Sequence, residues 1–343
     1  MAYLADRFSR RRIIILGLVG VSLAGLSVGL TQDFWQMVPC FIAMGLLGGT
    51  YHAPASSFIS QTLPSNVRGR ALGLHATGGS ASFFLTPILA LGIATLFESW
   101  RASFLILALP ALLVAFTLRI SFKKIGRHED RTHDSEETDG GIPGARRENE
   151  ARHDEQVSWG RIIRSIGILV FLAVILQVVL ASVNSYLPLY MVDHHGISPK
   201  WAGVVISIIA GSGIIGAPLG GALSDRIGRK RIILATISLS GPLLFAITRS
   251  PFGLPLLISL VIYGLAMSVR LPTMESFIAD CVPVVRRTTV LGFYFFLSME
   301  TTGITTPLVG RFIDIYGLDP VFTTLATGMC GVAAFALIFR KRI

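Results

Sequence analysis

With 343 residues, of which 52% are hydrophobic and 15% charged, and a mean hydropathy of +0.66, the chain carries too little charge for a soluble fold, whose average is about 25% charged. The formal net charge of +10 argues against a nucleic-acid partner, because the basic residues fall between long apolar runs rather than on one polar surface. The three cysteines (Cys40, Cys281, Cys330) are set among apolar residues and offer neither a disulfide framework nor metal-ligand spacing, so no metal or cofactor is expected.

The first stretch, "MAYLADRFSRRRII", places arginines ahead of an apolar run and so has the look of a secretion signal, yet no A-x-A cleavage site follows. Ten runs suited to a membrane crossing of about 20 residues lie at 13–30, 36–61, 71–94, 102–120, 161–187, 201–222, 232–248, 254–278, 288–310 and 320–339. An all-α integral membrane fold follows, with short joints such as "TQDFW", "LPSNVRGR" and "FESWR" that make neighbouring helices antiparallel. On one side the joints hold Arg7, Arg10 to Arg12, Arg68, Arg70, Arg226, Arg229, Lys230, Arg231, Arg286 and Arg287, together with the tail Arg340, Lys341 and Arg342; the other side holds only Arg101, Lys200, Arg249 and Arg311. Basic loops stay in the cytoplasm, so a multi-pass protein of the inner (plasma) membrane with both termini cytoplasmic is expected.

Between the fourth and fifth runs, "KKIGRHEDRTHDSEETDGGIPGARRENEARHDEQ" mixes both signs with almost no apolar content. Residues 121–158 read as a disordered cytoplasmic linker between an N-terminal half, 1–120, and a C-terminal half, 159–343.

The halves repeat. "LADRFSRRRIIILGL" from Leu4 matches "LSDRIGRKRIILATI" from Leu223, an offset of 219, and "LPSNVRGRALG" from Leu63 matches "VPVVRRTTVLG" from Val282 at the same offset. A secretion signal has no reason to recur in this way, so the opening stretch reads as a loop. The second copy holds six runs and the first four, which implies that the first copy lacks about 58 residues, enough for two helices. Ten transmembrane helices of an expected twelve are thus anticipated.

Two pseudo-symmetric membrane halves, a charged linker, and Asp-Arg-x-Gly-Arg-Arg/Lys after the second helix of each half resemble the major facilitator superfamily. The second motif, "GGALSDRIGRKR", is close to complete in Gly221, Asp225, Arg226, Gly228, Arg229 and Lys230; the first has Ala2 for the leading glycine and Ser9 for the second. The resemblance implies an MFS-type helical bundle in which this loop latches the cytoplasmic side. Asp6, Arg7 and Arg10, with Gly221, Asp225, Arg226, Gly228 and Arg229, would then form a cytoplasmic gate. The stretches "GGTYHAPASSFIS" and "RGRALGLHATGGS" are similar to the fosmidomycin-resistance-like branch.

Ionisable groups inside membrane runs are costly and few, here His52, His75, Arg270, Glu275 and Glu300. "RLPTMES" from Arg270 aligns with "HAPASSF" from His52, a pseudo-symmetric pair. The resemblance puts both on helices that line a central cavity, so His52 and Arg270 are expected to bind substrate, Arg270 as an anion ligand through its forked guanidinium or, equally, as an internal ion pair with Glu275 or Glu300. Gln177, Asn184 and Tyr186 are candidates for uncharged substrate contacts. Proton coupling needs a group that titrates near neutral pH, which points first to Glu300, then to His52 and Glu275.

The expectation is a monomeric secondary transporter, not an enzyme, that moves a small solute (an organic anion or a drug-like compound) by alternating access driven by protons. Its partners are that substrate, protons and the lipid bilayer; no Walker loop appears, so ATP drive is not expected. Efflux is one direction, although "GGSASFFLTPILA" lacks the Gly-Pro ending of many drug and proton antiporters. The alternative is a non-transporting truncated remnant or a membrane assembly partner.

Overall fold

The computed structural model describes residues 10–136 and 159–338, the side chains at 10, 123–136, 199–201, 203, 206 and 300 excepted. Every regular element among the described residues is a helix: α1 Arg10–Leu30, α2 Phe34–Thr62, α3 Ser65–Leu96, α4 Trp100–Glu136, α5 Trp159–His195, α6 Pro199–Ile227, α7 Arg229–Arg249, α8 Leu254–Ser268, α9 Arg270–Cys281, α10 Val284–Tyr316 and α11 Leu318–Ile338. All ten apolar runs fall on helices. Among the described residues eight stretches are long and apolar enough to cross a bilayer. The 29-residue α2 and 33-residue α10 have the length but carry more polar side chains, such as Tyr51 and His52 in α2 and the threonines around Thr301 in α10.

The run expected at 254–278 lies within one 28-residue apolar stretch, Leu254–Cys281, in which a single residue, Val269, separates α8 from α9 while keeping helical dihedrals (φ −63°, ψ −31°). Pro272 lacks the amide that would close the helical bond to the Ser268 carbonyl, which explains this local irregularity. One difference from the sequence reading stands out. The charged segment expected to be disordered from 121 is helical to Glu136. No proline stands between Pro110 and Pro143, and Gly126 is the only glycine before Gly140, so nothing in the chain stops α4 where its apolar stretch ends. Residues 137–158 lie outside the described residues.

Hydroxyl side chains inside the helices bond back to their own backbone, as in Ser22 to the Leu18 carbonyl, Ser182 to Val178 and Ser212 to Ile208. This is how a polar group is satisfied where no water reaches it. Many large apolar side chains stay exposed, among them Leu46, Phe83, Leu91, Phe116 and Phe171, as expected of surfaces that face hydrocarbon.

The chain forms two compact units. One consists of Met1–Phe58, Thr86–Ser158 and Pro283–Gly292; the other of Ile59–Leu85, Trp159–Val282 and Phe293–Ile343. In the first unit the buried positions are mostly small, with Ala24, Ala53, Ala55, Ala108 and Ala115 permitting close helix approach. Arg101 donates from Nε to the Thr31 carbonyl at 2.9 Å just past the end of α1, where a cation complements the helix dipole, and lies over the Trp100 ring. Thr288, near the start of α10, donates to the Ser57 hydroxyl at 2.8 Å. The second unit buries larger groups, including Leu169, Leu176, Leu187, Tyr190, Tyr263, Tyr294 and Phe322. Its packing brings the start of α3 against α6.

Candidate functional site

The second unit contains two polar clusters. The first lies where α3 begins, α6 ends, α7 begins and α9 ends. Gly228, with φ +107°, lets α6 and α7 meet at one residue, a conformation that side chains with a Cβ rarely adopt. That turn sets Asp225 directly over the start of α3. Its carboxylate accepts from the backbone amides of Gly69 and Arg70, both at 2.9 Å, and pairs with Arg229 Nη1 at 2.8 Å. A carboxylate beside the first two turns of a helix lies near the positive end of its dipole.

Asp280, near the end of α9, accepts from both Arg68 and Arg229, and also from Ser65 Oγ at 3.1 Å. Arg229 Nη2 donates to the Ser65 carbonyl at 2.5 Å. Arg68 and Arg229 are buried, and two carboxylates and two guanidiniums thus tie four helix ends together. The approach that allows this depends on glycine. A Cβ on Gly221 would run into the Gly69 carbonyl, and one on Gly73 would stand 2.8 Å from Pro218 Cα.

Of the residues expected in this cluster, Asp225, Arg229, Gly221 and Gly228 are in it, whereas Arg226 is exposed beside it. Asp6 and Arg7 lie outside the described residues, and so does the Arg10 side chain at the start of α1. Asp280, Arg68 and Ser65 were not anticipated. A signal was present: apart from the linker, Asp6, Asp225 and Asp280 are the three acids in the basic loops.

The second cluster forms where α9 starts. Arg270, first residue of α9 and only 5% exposed, donates from Nη1 to the Tyr294 hydroxyl at 3.0 Å and from Nη2 to Gln177 Oε1. Its Nε is buried without a hydrogen-bond partner. Glu275, also buried, is close enough to Tyr294 to act on it electrostatically. The expected substrate contacts divide. Gln177 meets Arg270; Asn184 accepts from the Tyr263 hydroxyl at 3.4 Å; Tyr186 donates to the Thr306 carbonyl at 3.1 Å and packs on Gly310. His52 belongs to the other unit and is exposed on α2, beside the Tyr51 ring. Glu300 lies on α10, with its side chain outside the described residues. Tyr294 was not foreseen as a site residue, although the repeat sets it opposite His75.

Chemically, the second cluster presents a forked cation whose two hydrogen-bonded partners are neutral, with Nε–H among the donors still unspent. Such a group is suited to a carboxylate or phosphate. Among the described residues no grouping of His, Cys, Asp and Glu could hold a metal ion.

A family model described as Major Facilitator Superfamily matches residues 1–299. The multidrug resistance protein MdtG of Salmonella arizonae is 28% identical, over 98% of this chain and 78% of its own length. Its namesake from Enterobacter lignolyticus is 27% identical, over 94% and 74%. Among solved structures, the human organic anion transporter MFSD10 (TETRAN) superposes with a TM-score of 0.77 at 18% identity, covering 98% of this chain and 79% of its own. The proton:xylose symporter XylE gives 0.75 at 17% identity, covering 98% and 82%.

Proposed function

The chain belongs to the major facilitator superfamily, and from that premise we propose that it exports a small organic anion of drug-like size by alternating access coupled to protons. Members of this family carry small solutes through a membrane as secondary transporters, so the chain is a multi-pass membrane transporter and not an enzyme. Export is supported by the multidrug resistance name of its relatives.

The observation that carries the substrate class is the buried Arg270, held by two neutral partners with Nε unspent. Leaving a charged donor unsatisfied in a buried site is costly, and a substrate carboxylate is the group that would relieve it. Gln177 and Tyr294 orient the guanidinium. Glu275, Glu300 and His52 are the groups that would carry the coupled proton. In this reading the halves 1–120 and 159–343 rock about the substrate. The protein sits in the inner membrane with both ends in the cytoplasm, and the Asp225 cluster is one half of the cytoplasmic latch.

The test is binding of a fluorescent organic anion, carboxyfluorescein, to the purified chain. Hydrogen bonds to a charged group contribute about 1.5–3 kcal/mol, so Arg270→Ala should weaken binding roughly 10- to 150-fold. Arg270→Lys, which keeps the charge and loses the fork, should fall between. Equal affinity in all three proteins removes Arg270 from the site.

A further inference from the structure

A third feature of the second unit belongs to neither cluster. A cavity of about 750 Å³ opens along the outer face of α7, lined by Lys230, Arg231, Leu234, Ala235, Ser238 and Leu239, with Leu337 of α11 at its side. The six α7 positions are three neighbouring pairs spaced four apart, one stripe down a single helix face. Eight residues of rise make that stripe about 12 Å long, cationic at its first turn and apolar below. Arg231 and Leu239 are exposed, and Lys230 is half-buried.

Ser238 lines the cavity, but its Oγ is shut off from water and so from the opening, and the wall below the cationic rim is apolar to an occupant.

Charge narrows the occupant. Lys230 and Arg231 make the rim cationic and attract anions. The linker is rich in acids but has almost no apolar residues to cover Leu234, Leu239 and Leu337. What suits a cationic rim above an apolar wall in a membrane protein is a phosphate carrying a hydrocarbon chain. We propose that this cavity holds one anionic phospholipid, its phosphate on Lys230 and Arg231 and an acyl chain along Leu234, Leu239 and Leu337. The orientation given above assigns it to the cytoplasmic leaflet. Arg229, one residue earlier, carries the ion pairs to Asp225 and Asp280, so the lipid would anchor the end of α7 that bears the latch.

The experiment uses the purified full chain in detergent, without any transport readout, and adds phosphatidylglycerol, phosphatidylcholine or inorganic phosphate. Native mass spectrometry should show one retained phosphatidylglycerol, with a raised thermal midpoint, and neither effect from the other two. Lys230→Gln/Arg231→Gln should lower phosphatidylglycerol affinity at least tenfold. Leu337→Trp, which fills the apolar part at constant charge, should do the same and serves alone if the double variant does not fold. Unchanged binding in the charge variant overturns the site. Stabilisation by inorganic phosphate equal to that by phosphatidylglycerol, or loss in the charge variant with full binding by Leu337→Trp, makes it a headgroup-only anion site and overturns the lipid assignment. Binding that appears only after 121–158 is excised gives the cavity to the linker instead.

Discussion

Asp280 serves two guanidiniums at once, Arg68 from α3 and Arg229 from α7, and its removal would strand the buried Arg68 while Arg229 keeps Asp225. Breaking a buried pair from one side costs about 3–5 kcal/mol, because the remaining charge is stranded. Asp280→Ala is therefore expected to lower the thermal midpoint clearly, and Asp280→Glu to restore part of it. Asp225→Asn should cost less, since one of the two amides of Gly69 and Arg70 keeps an acceptor oxygen and Arg229 keeps Asp280, even though the ion pair with Arg229 is lost. A thermal melt of the three variants checks the order, and a midpoint for Asp225→Asn below that for Asp280→Ala reverses it. The repeat made Asp225 readable, because a motif that occurs twice stands out. Asp280 has no acid at its pseudo-symmetric place, where the first copy has Gln61 and Thr62, so comparing the copies could not find it. Its role depends on which helix ends meet in space.

Helices were legible because a membrane crossing needs length and apolarity, both of which can be read along the chain. Breaks and extensions were not. Pro54 and Pro272 occupy matching positions in the repeat, yet α2 runs unmarked through the first whereas an irregular residue, Val269, precedes the second. A proline permits an interruption, and the neighbouring packing decides whether one forms. Where two helices meet through glycine the tolerance is small. Gly221→Leu forces a side chain into the Gly69 carbonyl, and overpacking of this kind costs about 1–3 kcal/mol. Because α3 and α6 would also separate, Asp225 should lose its hold on the Gly69 and Arg70 amides. Hydrogen exchange at the start of α3 should then quicken in Gly221→Leu and stay slow in an exposed control such as Leu219→Ala.

For the whole molecule, proton coupling makes a prediction that no single side chain does: accumulation against a gradient should collapse when a protonophore is added, while binding of the same solute to the purified chain persists. Transport that survives the protonophore would require another driving ion. The membrane architecture and the repeat could be read from the sequence, since both are patterns of residue type. The partners of Arg270 could not, because Gln177 and Tyr294 lie 93 and 24 residues from it and are joined only by the packing of α5, α9 and α10. One long-range pairing also bears on how the protein is made. Arg68 and Asp280 are separated by 212 residues, so when the start of α3 leaves the ribosome its counter-charge has yet to be synthesised. At roughly 5–20 residues per second the wait is roughly 10–40 s, during which the first-made helices must rest in the bilayer with an arginine unanswered at its surface. Assembly of this unit is therefore timed by translation, and slowing synthesis within the second half should lengthen the interval in which the nascent chain is open to membrane quality-control proteases.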